Sequence, residues 1–301
     1  MIVHTIGSGV TRIEFPTMGS EAHVLVVGDA RLAETASDRI ADLEAKWSRF
    51  RPSSELSRLN ESGSGIVSAD TILLVGRAVA GWEVSGGRFD PTVCDALVAH
   101  GYDRPFAAVG DRAAPVEAVP SPGCAGIVIE TGLGLVVLPR GVHLDPGGIG
   151  KGLAADLVVA ELMAAGAHGA MVSIGGDLRV AGQPPEGSSW SFAIDEPAAG
   201  GFFGIVSLSG GAVATSTTRR QRWVAGGQEV HHLIDPRRGR PHHGGPVLVT
   251  VVAAEGWWAE VATKDLMARE PGEAPLAETA ALIVAADGAV HLVGGMEDYL
   301  S

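Results

Sequence analysis

The residues best suited to chemistry lie in a glycine-rich segment, HLDPGGIGKGLAAD, at positions 143–156. Four glycines fall within six positions ahead of a predicted helix, where backbone N–H groups and the helix dipole favour an anion. Lys151 would add a positive charge, and Asp145 could accept hydrogen bonds from a base, a ribose or a flavin ring. The segment is not a Walker loop, because Asp145 replaces the first glycine and Gly152 follows the lysine. The alternative is a tight strand-to-helix turn with a solvated lysine.

A second candidate segment, HHLIDPRRGRP at positions 231–241, places histidines beside arginines. A histidine near a turn with arginines behind it could act as an acid or base next to an anionic group. The alternative is a strand that ends in a turn and exposes its histidines. A zinc site that also uses His242 and His243 is a further hypothesis, although the four histidines lack a fixed helical spacing.

The composition of the 301-residue chain restricts its partners and its compartment. A net charge of −13 argues against nonspecific nucleic-acid binding, so an anionic ligand needs local arginine, lysine, backbone N–H groups or a metal. The longest uncharged stretch, 197–218, is too rich in Gly, Ser and Thr for a membrane span, and no signal peptide is visible. Cys94 and Cys124 imply no disulfide framework, so we expect a cytoplasmic protein.

The hydrophobic patterning predicts a mixed α+β fold with largely antiparallel sheets, because strand candidates and hairpin signals dominate. One strand is predicted across EVHHLIDP. The main helices are interleaved irregularly with the strands and are predicted at 30–47, 70–84, 152–165 and over WWAEVATKDLMAR. The length suggests one domain, residues 1–301, or two lobes, with a surface excursion near 104–123.

Several short motifs follow one another along the chain in a specific order: TMGS, SRFRPSSELSRLN, GGRFDPTV, LDPGGIGKGLAAD, SIGGDLRVAG, ATST, HHLIDPRRGRP and VTVVAAEGWWAEVATK. The ordered set, from about residue 11 to residue 294, closely resembles the FAD:protein FMN transferase family, also called ApbE-type flavin transferases. The resemblance implies a single-chain α+β fold. It also implies cleavage of FAD at its pyrophosphate, transfer of FMN to a Ser or Thr of an acceptor protein, release of AMP and use of Mg²⁺.

The same resemblance assigns site residues. His232 matches the family's catalytic histidine, which could accept the proton of the acceptor hydroxyl, and Gly148 matches a backbone ligand of the metal. Phe50 stands where the family often has Tyr, so it keeps a ring and loses the hydroxyl. The residues that match FAD contacts are Met18, Phe50, Arg88, Phe89, Asp90, Asp145, Lys151 and Ile234.

The late helix departs from the family pattern at the metal. The family usually places Asp and Thr four residues apart, whereas this chain has Glu260 and Lys264, with Thr263 one residue earlier. In one arrangement, Glu260 and the Thr263 carbonyl bind Mg²⁺ together with Gly148. In the other, the Lys264 ammonium occupies the metal position and pairs with Glu260. We expect a weakened Mg²⁺ site, with replacement by Lys264 or an exposed Glu–Lys pair as alternatives.

The resemblance favours FMN transfer from FAD to an acceptor protein as the function. The alternative is a protein of the same fold that binds FAD or hydrolyses its pyrophosphate without transfer. The sequence does not identify the acceptor protein.

Overall fold

The computed structural model describes residues 2–5, 9–114, 116–196, 201–269 and 273–301. Within these ranges there are six α-helices: α1 Arg31–Trp47, α2 Glu55–Ser62, α3 Ala69–Val84, α4 Cys94–Ala99, α5 Gly150–Ala164 and α6 Gly256–Met267. The strands described are β1 Ile2–Thr5, β2 Val10–Thr17, β3 Ser20–Val27, β4 Ser64–Ile66, β5 Val128–Glu130, β6 Leu135–Val137, β7 Gly169–Ile174, β8 Asp177–Gly182, β9 Trp190–Glu196, β10 Gly201–Leu208, β11 Gly211–Thr217, β12 Arg222–Ala225, β13 Gln228–His231, β14 Ile234–Asp235, β15 Arg240–Pro241, β16 Leu248–Ala253, β17 Thr279–Val284 and β18 Val290–Val293.

Nine of these strands form one sheet in the order β1-β2-β3-β7-β8-β11-β16-β17-β18. Every neighbouring pair in it is antiparallel, as the alternating pattern and hairpin signals predicted. The mixed α+β fold with largely antiparallel sheets is therefore confirmed. None of the helices in the described ranges is long and apolar enough to cross a membrane.

Both faces of the central sheet are covered by separate apolar clusters. In β16, Val249 and Val251 pack into the cluster that contains α1, α5 and α6, whereas Leu248 and Val252 pack into the cluster that contains the β9–β10 hairpin. All six residues of β16 are consequently buried. The nearly continuous apolar sequence of this strand reflects burial on two sides.

The first turns of α5 and α6 cross at two glycines. A methyl group on Gly152 would lie 2.3 Å from the Gly256 carbonyl oxygen, so a side chain there would separate the helices. Asp156 of α5 reinforces the crossing, because its carboxylate accepts hydrogen bonds from Gly256 N (2.7 Å) and Trp257 N (2.9 Å) at the start of α6. The helix crossing therefore fixes the position of the glycine segment relative to α6.

The predicted helices are present with shifted ends, and two local features differ from the sequence interpretation. Helix α2 was not predicted. The strand predicted across EVHHLIDP is two short strands, since β13 ends at His231 and β14 begins at Ile234. Most of the described residues in the stretch 104–123 are exposed or half-buried, and the ring of Phe106 lies 6.2 Å from that of Trp223 in β12.

Candidate active site

A cleft of about 1010 Å³ gathers the residues predicted to contact FAD. It is lined by the β2–β3 turn, the segments after α1 and α3, the glycine segment before α5, part of α6 and the segment after β13. His232, Gly148 and Lys264 line it as well. All eight predicted FAD contacts are among its lining residues: Met18, Phe50, Arg88, Phe89, Asp90, Asp145, Lys151 and Ile234. Glu260 and Thr263 are fully buried behind this wall.

The glycines of the segment before α5 divide into two groups. Gly147, Gly148 and Gly150 line the cleft, whereas Gly152 makes the helix crossing described above. Asp145 shapes the turn, because its Oδ1 accepts a hydrogen bond from Gly147 N at 2.6 Å. The absence of a side chain therefore allows helix packing at Gly152 and leaves space for a ligand at the other three glycines.

One end of the cleft, here called the cationic end, contains Lys151, Lys264, Glu260 and Asp177. Lys151 Nζ pairs with Asp177 and lies 3.2 Å from Glu260 Oε1, while Lys264 Nζ lies 3.5 Å from the same oxygen. Burial opposes the charge of Lys151, but the two carboxylates outweigh it and raise the pKa of this lysine. Burial lowers the pKa of Lys264, and Glu260 only partly offsets that effect.

His232 lies at the bend between β13 and β14, with its imidazole on the cleft. Its Nδ1 atom is buried and has no hydrogen-bond partner. Burial and, secondarily, the charge of Lys264 lower the pKa of His232 to about 3, so its ring is neutral at pH 7. His231 lines a different cavity and places Nε2 3.1 Å from the His242 carbonyl oxygen.

A second part of the cleft, here called the aromatic end, is formed by Arg49, Phe50, Tyr102 and Phe106. The Arg49 guanidinium carbon lies 4.2 Å from the centroid of Phe50 and 4.7 Å from that of Tyr102. Arg49 Nε also lies 2.5 Å from Asp145 Oδ2, and both side chains are 7% exposed. A buried ion pair thus joins the aromatic end to the glycine segment.

Met18 enters the cleft from the two-residue turn between β2 and β3. Its φ is +47° and that of Gly19 is +70°, the backbone region of a type I′ hairpin turn. A methionine rarely adopts this conformation, for which Asn or Gly is preferred. The turn therefore holds an unfavoured residue where it borders the cleft.

The sequence model of the ApbE family matches residues 18–283, which span the cleft and most of the central sheet. The chain belongs to the ApbE family. Solved structures agree on the fold: the Vibrio cholerae flavin transferase ApbE covers 97% of this chain and 99% of its own, with 26% identity and a TM-score of 0.78. The Thermotoga maritima ApbE protein, at 23% identity, has a TM-score of 0.83 and covers 96% of this chain and 99% of its own.

Curated relatives of this ApbE-family chain carry an activity in their names. The FAD:protein FMN transferase of Haemophilus influenzae is 28% identical over 271 residues, which cover 81% of this chain and 76% of the relative. That of Salmonella typhimurium is 30% identical over 273 residues, with the same two coverages.

The side chains of Arg88 and Asp90 are held at the cleft by an ion pair and by hydrogen bonds, respectively. Arg88 Nε lies 2.6 Å from Oδ1 of the fully buried Asp265, the residue after Lys264 on α6. Asp90 Oδ1 accepts hydrogen bonds from the N–H (2.8 Å) and hydroxyl (2.6 Å) of Thr92. Burial raises the pKa of Asp90, and these hydrogen bonds only partly offset it.

Sequence interpretation missed two charged residues of the site, Arg49 and Asp177. Both lie inside motifs that were recognised, SRFRPSSELSRLN and SIGGDLRVAG, but neither was assigned a role. Asp177 is 2% exposed and its Oδ1 accepts a hydrogen bond from Thr215 N at 3.1 Å. For Asp177 the available signal was a carboxylate within a glycine-rich, apolar motif, because burying a charge requires a partner. Arg49 gave no such signal, since its motif contains three other charged residues.

The donors around Gly148 do not fit Mg²⁺ as they are arranged. Glu260 Oε2 accepts from Gly152 N at 2.8 Å, and its Oε1 faces both lysines. The Thr263 hydroxyl donates to the Glu260 carbonyl and shares a hydrogen bond with Ser216. In the part of the chain that the structure describes, no group of three or more His, Cys, Asp or Glu side chains could hold a metal ion.

Proposed function

We propose that this protein transfers FMN from FAD to a Ser or Thr hydroxyl of an acceptor protein and releases AMP. Family membership supports the proposal, as do the names of the curated relatives. The cleft, at about 1010 Å³, is at the upper end of ligand-pocket volumes, which suits a dinucleotide.

In the proposed reaction, the acceptor hydroxyl oxygen attacks the phosphorus on the FMN side of the pyrophosphate. A new P–O bond forms to the acceptor, and the bond from that phosphorus to the bridging oxygen breaks. The electron pair of the broken bond leaves with AMP, and the hydroxyl proton passes to His232. Such phosphoryl-type transfer requires positioning and charge neutralisation more than covalent participation by the protein.

The state of His232 is the observation on which the proposal rests. A general base must be unprotonated and within reach of the reacting hydroxyl, and His232 lines the cleft with a ring that is neutral at pH 7. Burial, with smaller contributions from the positive charges of Lys264 and Lys151, lowers the pKa of His232 and keeps the ring unprotonated before FAD binds. The bound pyrophosphate would offset those charges and make the imidazole a stronger base.

The two ends of the cleft suit different parts of FAD. The two lysines and the Gly148 backbone would receive the pyrophosphate, since the N–H groups of Gly147, Gly150 and Gly152 already donate to other acceptors. The rings of Phe50 and Tyr102, whose centroids lie 5.8 Å apart, offer stacking surfaces for a planar ring of the ligand. Asp145, which pairs with Arg49 and accepts from Gly147 N, would accept hydrogen bonds from that ring.

Nucleotide analysis after incubation with FAD and a candidate acceptor from the same genome tests the function. Transfer gives AMP together with FMN linked to the acceptor, and the linked flavin survives acid denaturation. AMP with free FMN would instead establish hydrolysis, and unconverted bound FAD would establish storage. Either of these results would contradict the proposed transfer.

Ligand binding is tested separately by thermal unfolding. FAD should raise the Tm, because a ligand that binds only the folded state stabilises it. FMN should raise it less, since it lacks the adenylate half. Equal shifts would contradict a site centred on the pyrophosphate.

We also propose a cytoplasmic location. Cys94 and Cys124 are both free and buried, and burial raises the pKa of the Cys94 thiol to about 12. Such thiols suit a reducing compartment. Cell fractionation of the expressed full-length protein tests the location, and recovery in an exported fraction would contradict it.

A further inference from the structure

Lys264 stands against the glycine segment. Its side chain is 17% exposed and lines the cleft, and a methyl group on Gly148 would lie 3.6 Å from its Cε. Glu260, at 3.5 Å, is its one ion-pair partner among the residues described. The ammonium therefore lies between the glycine backbone and α6 and faces the space for the ligand.

The carboxylate oxygens that a divalent cation would need here already have partners. Both carboxylate oxygens of Glu260 are engaged, one by the Gly152 N–H and the other by two ammonium groups. The side chain of Asp177 is likewise paired with Lys151 and with a backbone N–H. Mg²⁺ requires several oxygen ligands in near-octahedral geometry, and a lysine within a few Å would repel it.

Lysine is otherwise scarce in this protein. Of the 22 Lys and Arg residues of the chain, only three are lysines: Lys46, Lys151 and Lys264. Two of the three meet at the cationic end. An ammonium is a compact point charge, which resembles a metal ion more than the planar guanidinium does.

We propose that the Lys264 ammonium takes the place of a divalent cation and makes FMN transfer by this protein independent of Mg²⁺. This inference rests on the proposed function. Lys264 forms and breaks no covalent bond. It stabilises the negative charge that develops on the phosphate oxygens as AMP leaves, a role in which a fixed charge requires no reorganisation.

The test compares wild type and Lys264→Thr for AMP release from FAD in the presence of acceptor, with EDTA or with Mg²⁺. Wild-type turnover should be unchanged by EDTA. Lys264→Thr should fall by about 10²-fold in EDTA, the usual effect of removing one electrostatic donor, and Mg²⁺ should restore part of the loss. Lys46→Thr is the matched control and should behave as wild type, because Lys46 pairs with Asp42 and Asp70 outside the cleft.

Binding of Mn²⁺ to the wild type, measured by electron paramagnetic resonance, is a second test. It does not depend on enzymatic turnover or on whether Lys264→Thr folds. The proposal predicts no stoichiometric Mn²⁺ site. Such a site, loss of wild-type turnover in EDTA, or full turnover of Lys264→Thr in EDTA would each overturn it. Absence of AMP release from every sample would contradict the proposed function instead, and the Mn²⁺ measurement would still decide the question of the cation.

Discussion

The two ends of the cleft are built on different physical principles. The cationic end places two lysines on two carboxylates that are at most 2% exposed, so removing Lys151 leaves Asp177, and removing Glu260 leaves Lys264, without its ion-pair partner. The aromatic end stacks one guanidinium on two rings and gains mainly from contact area. We infer that substitutions at the cationic end affect folding and catalysis together, whereas those at the aromatic end affect ligand affinity.

The largest effect is expected from Lys151→Met. This change removes the partner of Asp177 and one partner of Glu260, and breaking a buried ion pair costs about 3–5 kcal/mol. Denaturant unfolding should show a loss of that order in the free energy of unfolding. Lys46→Met is the control and should lose at most about 1 kcal/mol, because Lys46 is as exposed as Lys151 but its carboxylate partners Asp42 and Asp70 are 46% and 18% exposed. Similar losses in both variants would refute the inference that burial of the carboxylates makes the cationic end sensitive to substitution.

His232→Ala should abolish most of the transfer while FAD still binds. Loss of a general base costs about 10²-fold or more in rate, whereas His232 contributes no charge to ligand binding at pH 7. Initial rates of acceptor flavinylation measure the first quantity, and the Tm shift with FAD measures the second. His231→Ala should be mild, because His231 faces the other cavity. Equal losses in both variants would remove His232 from the role of base.

The pH dependence of stability should differ between wild type and His232→Gln. Folding lowers the pKa of His232 from 6.5 to about 3, so between these values the unfolded chain takes up a proton that the folded chain does not. The free energy of unfolding therefore falls as the pH falls through 6.5. At pH 5 this contribution is about 2 kcal/mol. Denaturant unfolding at pH 7 and pH 5 should show this loss in the free energy of unfolding in wild type and in Phe50→Leu. His232→Gln should not show it.

The smallest effect is expected from Phe50→Leu at the aromatic end. A ring pair contributes about 0.5–1.5 kcal/mol beyond its contact area, so the KM for FAD should rise about 3- to 10-fold. The kcat should change little, because the ring contacts of Phe50 are with Tyr102 and Arg49 and not with the lysines of the cationic end. Phe202→Leu, at an exposed position outside the cleft, should leave both constants unchanged. A fall in kcat for Phe50→Leu without a change in KM would place Phe50 in the chemistry.

Most of the fold could be predicted from the sequence where a single periodicity extends over many residues. Helix α1 is an example, since Ala36, Ile40, Leu43 and Trp47 recur at helical spacing and all are buried. Helix α2 was not predicted, because it is only eight residues long. Its signals are short: Ser54 caps the first turn by accepting from Ser57 N, with apolar positions at Leu56 and Leu59.

The site could be located from the sequence only through the ordered motifs. Lys151 and Glu260 lie 109 positions apart, and no periodicity indicates that they meet. The sequence also did not indicate where the Lys264 side chain points, because this depends on how α6 crosses α5 at Gly152 and Gly256. Local patterns specify elements, whereas the contacts between distant elements follow from packing of the whole chain.

The left-handed conformation of Met18 has a consequence for engineering this protein. The substitution Met18→Asn would suit the Asn-Gly preference of a type I′ turn and should raise thermostability. The same substitution would remove a thioether side chain from the wall of the cleft. A stabilisation campaign that ranks variants by melting temperature alone would thus favour asparagine at this position and select against ligand capture. Variants at this hairpin turn therefore have to be screened for thermostability and activity together.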